Sequence, residues 1–444
     1  MIQLKQLVCL LSLISLALVG YLFTHLESRI SKRRAKEFIF SGETKKLKFQ
    51  SMKNGEWQTL ERGENIIYFH RALYDSRNFS RFSTPSITMY ALSNTRDPRE
   101  VSGVVCTYIL RNQTVTEKAK VLLFTTAYRY KETHLQEYVF NCPVSKVYPI
   151  PTYIFLKRDN STATLKIEIP YSGSNAITVC VPFVYGSMDR SMVTEWFEYQ
   201  RYFGVDAVEL AVWQVSNDLL QIFKYYESIN FLTLTIIDIP YKIQLDQPSN
   251  PLHPSKKPFY LKAFMPIPLN ECYLMNSLRS KYVLSLDFDE FIFTNLNKYP
   301  KYTDLLKAYD TKPTFVNLIV GRIKVDVTCK ENEKTEHFIF QHKYRQRLSE
   351  MRYLDNPKSF VNTKNCPFIG NHYCVWRWEK SQKYYPKANK VDAFVAHYRK
   401  QKTCGKEVNK YVKDTTIDRI EGKLSEHFNI VKQYFKTKSL LSYS

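Results

Sequence analysis

Glycine and proline are scarce in this 444-residue chain, at 12 and 19 residues, together about 7%. That poverty excludes a collagen-like chain, and 44% hydrophobic with 15% aromatic residues excludes a low-complexity or mainly disordered one. Acidic residues are also short, with 42 Asp plus Glu against 64 Lys plus Arg and a formal charge of +22. Such a surplus favours anionic partners: nucleic acid, acidic phospholipid, acidic polysaccharide or nucleotide phosphate. No repeat, zinc knuckle, RNP-like aromatic block or basic heptad region is present, so no element carries nucleic-acid binding. The length allows about three domains, or one large α/β unit with an appendage.

Long apolar runs are missing apart from one, Leu7 to Phe23, which holds 17 uncharged residues. As a helix it reaches about 25 Å, enough for a thin bilayer of the early secretory pathway. A cleavable signal peptide is the competing reading, but no small-x-small cleavage site follows the run. The expectation is a transmembrane signal-anchor over 7–23 behind a cytosolic tail at 1–6. Arg29, Lys32, Arg33, Arg34 and Lys36 follow the run, and the positive-inside rule alone would leave the body of the chain in the cytosol. Three sequons oppose that placement, at Asn78, Asn112 and Asn160. So do the cysteines. Cys9 lies in the apolar run, and the other eight form an even set: Cys106, Cys142, Cys180, Cys272, Cys329, Cys366, Cys374 and Cys404. Reduced core thiols would give the same count, but an oxidising lumen with several disulfides is the preferred reading.

From 24 to 62 the chain is polar and basic, as a stem would be. Over 63–175 short apolar β-rich runs alternate with turn residues, predicting an antiparallel sheet or sandwich. From 176 the rhythm changes. Strands are predicted at Ile177 to Val184, Ala207 to Val212, Leu232 to Ile239 and Tyr282 to Leu286. Helices are predicted between them at Ser191 to Phe203, at Asp218 to Ser228 with Ser216 as cap, and at Leu269 to Ser280. Strands alternating with helices predict an α/β domain with a Rossmann-like, mostly parallel sheet, and such sheets bind ligands at the carboxyl ends of their strands. A basic extension is expected over 406–444.

At the end of the strand Tyr282 to Leu286 stands Asp287-Phe288-Asp289-Glu290. Continuing the strand period puts the Asp287 and Asp289 carboxylates on one side and turns Phe288 into apolar packing. Two convergent carboxylates suit a hard divalent cation that bridges nucleotide phosphates. A solvated acidic turn would have the same residues.

The stretch Tyr282 to Phe291 (YVLSLDFDEF) resembles the central motif of glycosyltransferase family 92, formerly the domain of unknown function 23. Other blocks resemble that family in order: Tyr68 to Arg77 (YFHRALYDSR), Val179 to Gly186 (VCVPFVYG), Glu195 to Glu198, Phe203 to Val205, Glu271-Cys272, Lys358-Ser359, His372 and His397 to Arg399. Met265-Pro266-Ile267-Pro268 departs from it, standing where a Gln-containing polar segment is expected. The resemblance implies a type II Golgi or endoplasmic reticulum enzyme with a GT-A catalytic domain over 176–405. It implies transfer of a sugar with inversion, galactose from UDP-galactose with manganese, onto an N-glycan or other glycoconjugate. It further implies Asp287, Asp289 and His397 on the metal, with Lys358 and Arg399 at the donor diphosphate. Inversion requires a general base, for which Glu290, Asp355, Glu379 and Asp392 are all candidates. A non-catalytic lumenal glycan-binding protein on the same fold is the alternative, although it would not need Asp287, Asp289 and His397 together.

Overall fold

The computed structural model describes residues 57–77, 79, 85–110, 113–123, 135–144, 149–240, 264–328, 337–353, 355–375, 384–399 and 411–437. The apolar run 7–23, Asn78, Asn112, Cys329, Glu379 and Cys404 lie outside these residues. Among the described residues no helix is long and apolar enough to cross a membrane.

Ten strands form the first sheet of the described residues: β1 (Gln58–Arg62), β2 (Asn65–Phe69), β3 (Ala72–Asp75), β4 (Ser86–Ser93), β5 (Val105–Leu110), β6 (Gln113–Lys118), β7 (Lys120–Leu123), β8 (Gln136–Pro143), β9 (Tyr153–Arg158) and β10 (Ser161–Glu168). Its pairs are antiparallel except β3 with β10. The central strand β4 is buried along its whole length because each face meets a different core. Ile87, Met89 and Ala91 enter the core of the sheet itself, whereas Tyr90 and Leu92 pack with Phe183, Ile267, Leu274 and Phe368 of the following region. The period of two thus assigns alternate residues to two cores. Strand β1 falls inside the segment expected to be stem, which corrects that boundary: Leu60 is fully buried and pairs with Ile67.

The second sheet begins with β11 (Asn175–Gly186), followed by α1 (Arg190–Tyr202), β12 (Ala207–Val215), α2 (Asn217–Ser228), β13 (Leu232–Ile236), α3 (Pro266–Met275) and β14 (Ser280–Ser285). β11, β12, β13 and β14 are parallel neighbours in the order β13-β12-β11-β14. In chain order the sheet grows outward from β11 and then reverses to place β14 on its other side, so the switch point lies between β11 and β14. Two antiparallel strands, β16 (Asn317–Val320) and β19 (Lys358–Asn362), complete the edge beside β14. Helix α1 is capped by the Asp189 side chain, which accepts from Met192 N–H at 2.9 Å. Ser216 holds the cap position of α2 but makes no capping bond from its side chain. α3 starts three residues earlier than expected because Pro266 occupies its first turn, where a missing N–H costs nothing.

The third sheet joins β15 (Glu290–Thr294), β17 (Arg322–Asp326), β18 (Tyr344–Gln346), β20 (Ala393–Arg399) and β21 (Tyr411–Lys413). Short helices α4 (Tyr302–Tyr309) and α5 (Phe338–Gln341) connect this part of the chain. The last helix, α6 (Glu421–Thr437), corrects the expectation of a basic extension: Leu424, Phe428, Val431 and Phe435 form a buried stripe in the core that holds Trp196 of α1. Three disulfides close within the described residues, Cys106–Cys142, Cys180–Cys272 and Cys366–Cys374. Cys180 sits on β11 and Cys272 on α3, so that bond ties a central strand to the helix covering it.

Candidate functional site

β14 stops at Ser285, and the acidic residues do not extend it. Residues 287–290 make a tight turn, closed by the Glu290 N–H donating to the Asp287 carbonyl at 3.1 Å. This corrects the strand extrapolation that put both aspartates on one side. Phe288 packs inward as expected, with its ring centroid 4.8 Å from that of Trp196. With Phe288 as the anchor, the turn points Asp287 and Asp289 toward different partners.

Asp287 faces β19. The Lys358 ammonium, none of whose side chain is exposed, lies 3.0 Å from Asp287 Oδ2, 2.8 Å from Glu290 Oε2 and 3.0 Å from Asn371 Oδ1. Lys358 was expected at the donor phosphates; it lies beneath the turn instead, with three acceptors. Glu290 Oε2 also accepts from the Asp287 N–H at 3.0 Å, so one carboxylate braces the turn from inside. Burial opposes ionisation of Asp287, but the Lys358 charge outweighs it and holds the carboxyl down at about 2. Burial pushes Glu290 the other way, upward, with the Lys358 ammonium at 2.8 Å counteracting and Asp287 and Asp289 adding to the rise.

Asp289 faces β20. Antiparallel pairing of β15 with β20 sets Glu290 opposite His397, and His397 Nε2 stands 3.2 Å from Asp289 Oδ2. One ligand atom each from Asp289, Glu290 and His397 lie within 4.8 Å of one another. Atoms bound to a common ion at about 2.2 Å can be at most about 4.4 Å apart, so a small contraction makes this group a chelating set. The group therefore contains Glu290 where the sequence pattern pointed to Asp287. Burial lowers the His397 pKa, with Arg399 and Arg322 lowering it further against Asp289, so the ring is neutral and has a lone pair to give.

Both ring nitrogens meet guanidinium groups. Arg399 Nε donates to Nε2 at 2.7 Å, and Arg322 Nη1 stands 3.1 Å from Nδ1. A neutral imidazole accepts at one nitrogen, so only one contact is a full hydrogen bond in any one tautomer. Arg322 reaches past the ring to Asp355 Oδ2 at 2.8 Å. Arg399 is 62% exposed and 3.5 Å from Asp289 Oδ2, at the open side of the site.

The remaining candidates for the base separate clearly. Glu290 is buried beneath the turn. Asp392 precedes β20 and holds Lys298 and Tyr309, about 17 Å along the strand from His397. Asp355 is 46% exposed and adjoins the site through Arg322. His372, expected in a late block, donates from Nδ1 to the Pro357 carbonyl (3.0 Å), and burial with the Lys358 charge brings it down to about 3, leaving it neutral. Sequence reasoning missed Arg322 and Asn371. Neither stands in a recognisable spacing: Arg322 joins the site through pairing of β17 with β20, and Asn371 through the loop that the Cys366–Cys374 disulfide closes.

The family model for glycosyltransferase family 92 matches residues 175–428. No curated protein matches the chain. Among solved structures, HddC from Yersinia pseudotuberculosis is similar at 8% identity over 50% of this chain and 93% of its own, with a TM-score of 0.27. TarS 1-349 from S. aureus is similar at 14% identity over 55% of this chain and 62% of its own, with a TM-score of 0.23. Likeness at these scores carries no argument about activity or substrate.

Proposed function

Because the chain belongs to glycosyltransferase family 92, we propose that it is a metal-dependent inverting glycosyltransferase that moves galactose from UDP-galactose, in β linkage, onto a glycan acceptor. The observation that carries the metal reading is the convergence of Asp289, Glu290 and His397 at the carboxyl end of β14, beside the switch point of the parallel sheet. The sheet order and this location support a GT-A reading of the catalytic region. Two carboxylates and an imidazole favour manganese over magnesium, since the nitrogen donor is softer than oxygen.

Asp289, Glu290 and His397 would hold the ion, which when bound supplies Lewis-acid charge to the departing diphosphate. Arg399, exposed at the open side, is placed to add a guanidinium to the same phosphate oxygens. Lys358 keeps Asp287 ionised and the turn fixed, so the site need not rearrange as charge develops. Asp355 is the base in this reading. Its carboxylate takes the proton of the acceptor hydroxyl while that oxygen bonds to the anomeric carbon and the bond to the diphosphate breaks from the opposite face. Arg322 orients Asp355 through one carboxylate oxygen and leaves the other to accept.

We place the enzyme in the lumen of the Golgi or endoplasmic reticulum, anchored by 7–23. Three disulfides and the exposed turn position of Asn160 between β9 and β10 support that placement. The test is transfer by detergent-solubilised full-length protein from UDP-galactose and other UDP and GDP sugars, with chelator and with added manganese or magnesium. Activity should vanish in chelator and return best with manganese. Full transfer in chelator would exclude the metal role, and turnover of a different donor alone would replace galactose.

A further inference from the structure

The motif Tyr68 to Arg77 belongs to the first sheet, outside the matched span 175–428, yet its last residue reaches the site region. Arg77 is buried, and its guanidinium is held in plane by both oxygens of Asp75, at 2.9 Å each. The remaining donors leave the first sheet altogether. Nη1 donates to the carbonyls of Thr363 (3.2 Å) and Cys366 (3.1 Å), and Nη2 donates to the carbonyl of Pro367 (3.2 Å). Three carbonyls directed at one cation form a socket that only a planar, multi-donor side chain fills. Tyr273 of α3 completes it by donating its hydroxyl to the Cys366 carbonyl at 2.7 Å and lying against the guanidinium at 5.2 Å.

Cys366 starts a short loop that its disulfide to Cys374 closes. Near the far end of that loop Asn371 offers Oδ1 to both the Lys358 ammonium (3.0 Å) and the Ser285 hydroxyl (2.9 Å). The next residue is fixed too, because Ser359 Oγ donates to the His372 carbonyl at 2.7 Å. A continuous set of contacts therefore runs from Arg77 to the base of the loop, through the closed loop to Asn371, and from Asn371 to the lysine beneath the acidic turn. Without the Asn371 oxygen, a fully buried ammonium would lack its third acceptor and would depend on the two carboxylates alone.

We propose that Arg77 is a positioning residue for the transferase site: by anchoring the 366–374 loop it sets Asn371 against Lys358, and through Lys358 it fixes the turn carrying Asp287, Asp289 and Glu290. The β-rich region is then part of the catalytic machinery's support and not a separable appendage. This inference rests on the reading of that turn as the metal and donor site.

The test compares full-length wild type with Arg77→Lys, which keeps the charge but loses the fork, and with Arg77→Ala. Two measurements are made on each: amide hydrogen exchange of segments 286–290 and 366–374 without metal, and manganese affinity by calorimetry. In at least one variant that still melts cooperatively, exchange should rise in both segments, and manganese affinity should fall by about tenfold, the range for groups supporting metal ligands. Faster exchange confined to 366–374, with 286–290 as protected as in wild type, would overturn the inference. If wild type binds no manganese, the metal reading fails instead, while the exchange comparison still decides whether Arg77 positions the turn. Unfolding of Arg77→Ala leaves the decision to Arg77→Lys, for which unchanged exchange at 286–290 counts against the proposal.

Discussion

The Lys358 ammonium and the Asp287 carboxylate form an ion pair at 3.0 Å in which the lysine side chain is completely buried. Asp287 is thereby tied to the protein's own cation, whereas Asp289 faces His397 and Arg399; the two side chains are similarly exposed, at 36% and 30%, so it is their partners that separate them. Two aspartates one residue apart have taken separate duties. One is neutralised by the protein's own cation, and the other is available to a cation from solution.

Removing that internal cation should be costly. Lys358→Met leaves buried Glu290 without its counter-charge as well as part-exposed Asp287, and for the Lys358–Glu290 pair the loss of one buried partner costs about 3–5 kcal/mol. Urea denaturation would measure it. Adding Glu290→Gln to Lys358→Met should recover part of the loss, because one of the unpaired carboxylates is then gone. No recovery would mean that the pair does not act as a unit.

Asp289 and His397 should behave as one coordination sphere. Asp289→Asn and His397→Ala should each lower manganese affinity by at least about tenfold, and the double variant should be little worse than either alone. Calorimetric titration of the four proteins checks this. Additive losses, or unchanged affinity in His397→Ala, would take the histidine out of the site.

A separate prediction concerns pH and the first sheet. Burial pushes Glu137 on β8 up to about 8, far above an ordinary carboxyl. Between about pH 4.5 and 8 the folded chain retains this proton while the unfolded chain releases it, so the unfolded state binds fewer protons and stability falls as pH rises. Glu137→Gln should remove this contribution. Its stability should exceed that of wild type at pH 8 by on the order of a few kcal/mol, and the two should converge near pH 4. Denaturant midpoints across that range would show it, and parallel profiles would refute it.

The terminal helix should be indispensable. Leu424 is fully buried in the core shared with α1, so Leu424→Ala should cost about 2–5 kcal/mol. Exposed Ile430, on the same helix, should tolerate Ala within about 0.5 kcal/mol. Equal effects at the two positions would contradict the packing of α6.

The chain's local patterns determined the elements of the α/β region and the location of its chemistry. Apolar strands alternating with amphipathic segments dictated β11 to β14, because burial on both faces of a parallel sheet demands continuous apolar runs. The acidic residues after Leu286 were legible for the same reason, since polar residues directly after a buried strand mark its carboxyl end. Family-like blocks such as Tyr68 to Arg77 were visible as sequence, but their physical meaning was not. Only the tertiary structure decided that Asp287 answers to Lys358 and Asp289 to His397, because the turn at 287–290 breaks the period that the sequence alone would extend. It likewise decided that Glu290 stands opposite His397, a pairing of residues 107 positions apart set by the register of β15 on β20. Local propensity and periodicity act over a few residues, whereas a register or a buried ion pair is chosen by which distant surfaces can exclude water together.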